Sequence, residues 1–256
     1  MIDGIRYWWR ERQAARLCIA PELWASTEQS LPFLRHLNSA ERDRLRQLAR
    51  ELIAEKEWAG AQGLQLTANI QLAIALQACL PVLNLGLDWY SDWVGIVVYP
   101  GDFVIPRQSI DENGVVHEYD DAVLGEAWAG GPVLISWFDH AEDIDGINVV
   151  IHEFAHKLDM RNGAADGVPP LPAEMSRANW IAAMEHAYLD LQQRADNGEV
   201  CVLDPYGAES PAEFFAVASE AFFQTPTVLQ TEYPQVFTQL RRFYRQNPAA
   251  INTPTS

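Results

Sequence analysis

The sequence predicts an α+β fold, a single domain in which a small mixed sheet is flanked by helices. Three observations carry that prediction. Helix-period stretches stand toward both ends of the chain, whereas β-branched runs gather between residues 95 and 138, so strands and helices are grouped rather than strictly alternating. No internal repeat or linker interrupts residues 1–256, a length that supports one well-buried core. With 48% hydrophobic and 21% charged residues, the composition is that of a globular chain rather than a disordered one.

Residues 4–35 carry Tyr7, Trp8, Trp9, Trp24 and Phe33, punctuated by Pro21 and Pro32, which predicts short helices packed on the main body. Asn38 or Ser39 can cap a helix over 39–55, with Leu45, Leu48, Ala49, Leu52 and Ile53 on its apolar face and an Arg/Glu run on a solvated one. A short strand is expected over 57–61. Thr67 then caps a core helix that runs to residue 80, where Pro81 ends it. Residues 95–99 and 103–105 read as strands joined by a turn at Pro100 and Gly101. Residues 111–114, Asp-Glu-Asn-Gly, form a hairpin turn signal leading into a strand at 115–119. Residues 132–138 are the clearest strand in the chain. This strand, or a neighbour, could lie at a sheet edge and pair with an extended peptide; an ordinary interior position is the competing reading. An acidic connection, 139–146, leads into the most informative helix, 148–160. Beyond it come a Gly/Pro-rich loop at 161–172 and a helix over 178–194. The apolar face of that helix is Trp180, Ile181, Met184, Ala187, Tyr188 and Leu191, and His186 is expected to be exposed or hydrogen-bonded rather than a ligand. A loop at 204–211, an aromatic-rich helix at 212–223 and a last helix at 234–245 complete the chain.

Composition excludes several roles. A net charge of −17 without any Lys/Arg run argues against nucleic acid as a partner. Cys18, Cys79 and Cys201 are odd in number, widely spaced and free of CxxC, which fits a reducing cytoplasm better than a disulfide framework. The N-terminus does not read as a signal peptide. The most apolar stretch, 72–87, is broken by Gln77, Pro81 and Asn84, so no membrane span is expected.

Within 148–160, His152, Glu153 and His156 form HExxH. Residues four apart share a helix face, so both imidazoles can converge on one ion, with Glu153 beside it. Two histidines and a third ligand on zinc leave a position for water and lower its pKa to about 7, and a neighbouring carboxylate can take the proton. That is metalloprotease chemistry. The five letters alone are a weak signal, but Val149, Val150, Ile151, Phe154, Ala155 and Leu158 bury the helix, and buried histidines demand partners.

The third ligand must come from elsewhere. The HxxGxxH continuation fails, because Asp159 and Asn162 occupy the glycine and histidine positions. Glu213 and Glu220 both sit among Phe and Ala on one helix, about two turns apart, and either could ligate. Glu213 could instead close a capping box with Ser210. Glu220, or Asp159, could instead accept a hydrogen bond from a ligand histidine.

HEFAHKLDMRNG, LPVLNLGLDWYSDW and DPYGAESPAEFFAVASEAFF together resemble the Mlc titration factor A family of zinc metallopeptidases, gluzincins with a catalytic core similar to that of anthrax lethal factor. The likeness runs from about residue 45 to 248, with residues 1–40 least alike. It implies a zincin-like metallopeptidase domain in which His152, His156 and Glu213 hold Zn2+, Glu153 is the general base and Tyr206 assists catalysis. It further implies a cytoplasmic aminopeptidase, expected as a monomer, with a peptide substrate and a Mlc-type transcriptional repressor as a partner that ties it to sugar-phosphotransferase gene expression. The alternative is a binding protein that sequesters a regulator and keeps a structural or vestigial metal site. Glu153 favours the enzyme, since a structural zinc needs no base beside it.

Overall fold

The computed structural model describes residues 17–110, 116–138 and 147–250, together with Arg10, Arg12 and Ala14; residues 105–110 and 116–123 are described as backbone. Tyr7, Trp8, Trp9, the turn at 111–114 and the acidic connection at 139–146 lie outside the described residues.

Helix α1 (Pro21–Gln29) opens with proline at its first position, where the missing N–H costs no hydrogen bond. A 3₁₀ turn (Pro32–His36) leads to α2 (Ser39–Glu55). Asn38, rather than Ser39, caps α2: its Oδ1 accepts from the Glu41 N–H at 3.0 Å, and the Glu41 carboxylate accepts from the Asn38 N–H at 2.9 Å. Leu45, Leu48, Ala49 and Leu52 are buried as expected. The polar face is not merely solvated, since Arg46 pairs with Glu28 of α1 at 2.5 Å. After strand β1 (Glu57–Gly60), Thr67 caps α3 (Ala68–Cys79), whose residues from Leu72 onward are all buried.

Five more strands follow: β2 (Gly95–Tyr99), β3 (Phe103–Ile110), β4 (Val116–Val123), β5 (Gly125–Ala127) and β6 (Val133–Ser136). The main sheet has the order β1-β2-β6-β5, with β1, β2 and β6 parallel and β5 antiparallel on the edge. Strands β3 and β4 form a separate antiparallel hairpin, from Phe103 opposite Val123 to Ile110 opposite Val116. Two sequence expectations change here. The predicted strand at 132–138 narrows to β6 and lies inside the sheet. The edges are β1 and, beside β6 as the neighbouring strand, β5, three residues with no β-branched side chain, which only pairing with β6 makes a strand.

Helix α4 (Val149–Asp159) packs against α3, β5 and β6 on one flank and α6 (Pro211–Gln224) on another. Its Phe154 meets Tyr90 and Trp93 edge-on, at centroid distances of 5.0 and 5.6 Å. In chain order α5 (Arg177–Asp196) comes between α4 and α6, with Trp180 and Leu191 buried and His186 exposed. The expected loop at 204–211 contains a 3₁₀ turn (Pro205–Ala208). The chain closes with α7 (Pro226–Glu232) and α8 (Pro234–Tyr244). Pro226, read from sequence as a stop, is also the first residue of α7, a role proline fills well. Among the described residues, no helix is long and apolar enough to cross a membrane.

Candidate metal centre

Every residue of α4 is buried, and its start is fixed by Asn148, whose Oδ1 accepts from the Ile151 N–H at 2.9 Å. Helical spacing then places the His152 and His156 rings 4.8 Å apart, with their Nε2 atoms 3.2 Å from each other. Glu213 arrives from the first turn of α6. Its Oε2 lies 2.9 Å from His152 Nε2 and 3.2 Å from His156 Nε2. Two imidazole nitrogens and one carboxylate oxygen thus fall within 4.8 Å of one another, a group able to hold a metal ion.

The two competing explanations for the glutamates separate cleanly. Ser210 Oγ accepts from the Glu213 backbone N–H at 3.2 Å, so capping accounts for that N–H, while the carboxylate turns to the histidines. Glu220 stands behind His152 instead of in the donor trio. Its Oε1 pairs with His152 Nδ1 at 2.7 Å, and its Oε2 accepts from the Asn148 N–H at 2.6 Å, which ties the ring orientation to the start of α4. Asp159, wholly buried, does not take a histidine as its hydrogen-bond donor: its Oδ2 accepts from the Gly167 N–H at 2.7 Å. Gly167 has φ +79°, and a Cβ there would lie 2.5 Å from the Pro211 carbonyl oxygen, so Asp159 secures a loop that touches the start of α6.

Electrostatics follow from this crowding. Burial alone would pull the His152 imidazolium down, but its hydrogen bonds to Glu213 and Glu220 outweigh burial and raise its pKa to about 10. Burial likewise pushes Glu213 up, yet its contacts with His152 and His156 prevail and bring it to about 2. Glu153, only 5% exposed, is pushed up to about 8, chiefly by burial, with the nearby carboxylates adding to the shift and His152 opposing it. Its Oε2 has no hydrogen-bond partner among the described residues. Gly125 of β5 permits that placement, since a Cβ there would sit 2.4 Å from Glu153 Oε1.

Tyr206, on the 3₁₀ turn and 46% exposed, lies with its ring centroid 5.9 Å from that of His152. Asp204 Oδ1 holds the turn by accepting from the Tyr206 N–H at 2.9 Å. Two cavities, of about 410 and 180 Å³, meet at His152, Glu153, Tyr206 and Gly125. The structure therefore brings together the five residues that the family resemblance pointed to, His152, Glu153, His156, Tyr206 and Glu213, with Glu220 beside His152. Sequence reasoning missed Gly125 and Lys157. Lys157 is 2% exposed, donates to the Trp128 and Gly131 carbonyls at 2.6 and 2.8 Å, and lies 5.0 Å from the Trp93 ring centroid. It fastens the β5–β6 turn to α4. A lysine on an otherwise apolar helix flank was the available signal.

A small mixed sheet, an HExxH helix packed against its antiparallel edge strand and a glutamate supplied by a later helix define a zincin-like metallopeptidase fold. The chain belongs to the glucose-regulated metallo-peptidase M90 family, whose sequence profile matches residues 5–245. The likeness noticed from residue 45 onward thus reaches back almost to the N-terminus. Proteins called Mlc titration factor A from Yersinia pestis (strain Pestoides F) and Yersinia pseudotuberculosis serotype O:1b (strain IP 31758) are each 39% identical to it over 226 residues. That match covers 86% of this chain and 83% of each relative.

Proposed function

We propose that this protein is a zinc-dependent aminopeptidase acting on short peptides or exposed chain ends. One observation carries the reading: a carboxylate, Glu153, is held buried and unpartnered at Oε2 beside a nitrogen, nitrogen, oxygen donor group. The donor set fits zinc. Two Nε2 atoms facing each other at 3.2 Å and sharing one carboxylate oxygen crowd three lone-pair donors together, an arrangement that a cation relieves. His152, His156 and Glu213 would hold the ion, and Glu220 would fix the His152 ring from behind. When bound, zinc supplies a Lewis acid that polarises a carbonyl and makes water more acidic. Glu153 takes the proton of the attacking water, its carboxylate kept ionised by the cation that the donor group would hold. Tyr206, at the mouth of both cavities, donates its phenolic hydrogen bond to the developing oxyanion. Strand β5, on the sheet edge beside Glu153, offers main-chain groups to an extended peptide.

The reading is tested by metal analysis of the purified protein together with turnover of chromogenic amino-acid amides. One zinc per chain and turnover that collapses in Glu153→Gln are expected. Absent turnover with zinc bound, or turnover unchanged in Glu153→Gln, would overturn it. A second reading has its own support. The relatives carry the name Mlc titration factor A, so we propose a Mlc-type repressor as a binding partner in the cytoplasm, a compartment that suits three free cysteines. Partner capture that survives loss of Glu153 and Tyr206 would mark binding as separate from hydrolysis.

A further inference from the structure

Gln77 is a polar break in the most apolar stretch of the chain, and among residues 72–79 of α3, all buried, it is the one side-chain amide. A buried amide is costly unless its hydrogen bonds are made. Gln77, 8% exposed, makes two: its Nε2 donates to the Ala73 carbonyl at 3.1 Å, and its Oε1 accepts from Asn148 Nδ2 at 2.9 Å, across 71 residues of chain. Asn148, 6% exposed, also caps α4 through Oδ1, and its backbone N–H donates to Glu220 Oε2 at 2.6 Å. Capping uses only the oxygen half of the Asn148 side chain, a task that serine or aspartate fills as well. The amide half is committed to Gln77.

Backbone groups fix the direction of both amides. The Ile151 N–H can only donate, so it takes Asn148 Oδ1 and turns Nδ2 toward Gln77. The Ala73 carbonyl can only accept, so it takes Gln77 Nε2 and turns Oε1 toward Asn148. At the far end, one Glu220 oxygen accepts from the Asn148 N–H, and the other lies 2.7 Å from His152 Nδ1. A carboxylate accepts only, so the His152 proton is held on Nδ1 and Nε2 is left for the donor group with His156 and Glu213. A buried run of hydrogen bonds thus joins the core of α3 to the first histidine of HExxH.

We infer that Asn148 and Gln77 are positioning residues for His152, acting through Glu220. Gln77 fixes the Asn148 side chain, the Asn148 N–H fixes one oxygen of Glu220, and the second oxygen sets the angle of the imidazole. This role rests on the reading of His152 as a zinc ligand.

Two measurements test it: zinc affinity by chelator competition, and solvent exchange of the His152 Nδ1 proton by nuclear magnetic resonance on metal-free protein. Gln77→Met removes the acceptor at nearly the same length, and Asn148→Ser keeps a capping oxygen while removing the amide. Each should weaken zinc binding about threefold to tenfold, less than loss of a direct partner of the ring, and should speed exchange of the Nδ1 proton. Glu220→Gln leaves one acceptor oxygen for two donors and so cuts the link to His152. In that background neither substitution should weaken zinc binding further, whereas the effects of independent sites would add. A purely structural role would lower stability without this non-additivity. Losses that add to that of Glu220→Gln, or affinity and exchange unchanged in both single variants, overturn the inference. Should Gln77→Met not fold, Asn148→Ser decides by the same two readouts. Faster exchange in the variants of a protein that binds no zinc would sink the metal reading and leave the positioning of the ring standing.

Discussion

His152 joins two demands that pull in opposite directions. Its Nδ1 faces Glu220 and its Nε2 faces Glu213, and together the two carboxylates favour the imidazolium, whereas a metal needs the neutral ring. In chelator-stripped protein, an imidazolium pKa raised from 6.5 to about 10 contributes stability that is complete below pH 6.5 and disappears as pH rises through 10. Metal uptake should therefore release protons at pH 7, and affinity should climb with pH. Calorimetry in buffers of different ionisation enthalpy reads this directly, and uptake with no proton release would be the contrary result. Replacing His152 or His156 by Ala should lose the metal, as elemental analysis would show. The glutamates should differ in kind. Glu213→Gln should cost both metal and turnover, because it removes the carboxylate charge at the two histidine Nε2 atoms while the Ser210 cap on the Glu213 backbone N–H is kept. Glu220→Gln should keep the metal at about tenfold to a hundredfold weaker affinity. Tyr206→Phe should retain the metal and lower kcat about a hundredfold to a thousandfold, by analogy with loss of one oxyanion donor.

At the scale of elements, α4 and β5 work as one piece. Lys157 reaches from the helix to two carbonyls of the β5–β6 turn, and Gly125 brings the edge strand against Glu153. Burial lowers the Lys157 pKa to about 8, with the charges of Asp92 and Glu153 opposing the shift, while the ammonium donates to two carbonyls and lies over the Trp93 face. Lys157→Met should leave both carbonyls without that donor, at a cost of about 1–3 kcal/mol in denaturant melts. Gly125→Ala should act on chemistry instead. A methyl 2.4 Å from Glu153 Oε1 must displace either the carboxylate or the strand, so turnover should fall sharply while zinc content holds. Full activity in Gly125→Ala would show that Glu153 does not depend on this contact.

Across the whole molecule, the site exists because α6 crosses α4 close enough for Glu213 and Glu220 to meet His152 from two sides. The aromatic residues Phe214, Phe215, Phe222 and Phe223, all buried, seat α6 against Trp180 and Tyr188 of α5 and Phe237, Phe243 and Tyr244 of α8. Much of this was legible beforehand. Periodicity and caps located α2, α3, α4, α5, α6 and α8 to within a few residues, because those signals are local. His152, Glu153 and His156 were legible for the same reason: the geometry that joins them is one helix turn, and it comes with the backbone. The short edge strand β5 and helix α7 were not, since three unbranched residues and a proline-led single segment carry no periodic signal. Glu213 and Glu220 stood on one helix with equal claims by spacing, and resemblance alone favoured the first. Their separation into a carboxylate that shares the histidine Nε2 atoms and one that backs Nδ1 depends on how two helices, about sixty residues apart in sequence, pack. The same holds for Gly125 under Glu153, Lys157 on the β5–β6 turn, and Gln77 on Asn148. By itself, then, the sequence determined the helices and the HExxH segment with Glu153 beside its first histidine, which rest on neighbours within a turn or two, and, through resemblance, the metallopeptidase family. Only the tertiary structure decided the partner of each carboxylate and the shape of the cavities, because those depend on contacts between segments that chain spacing does not constrain.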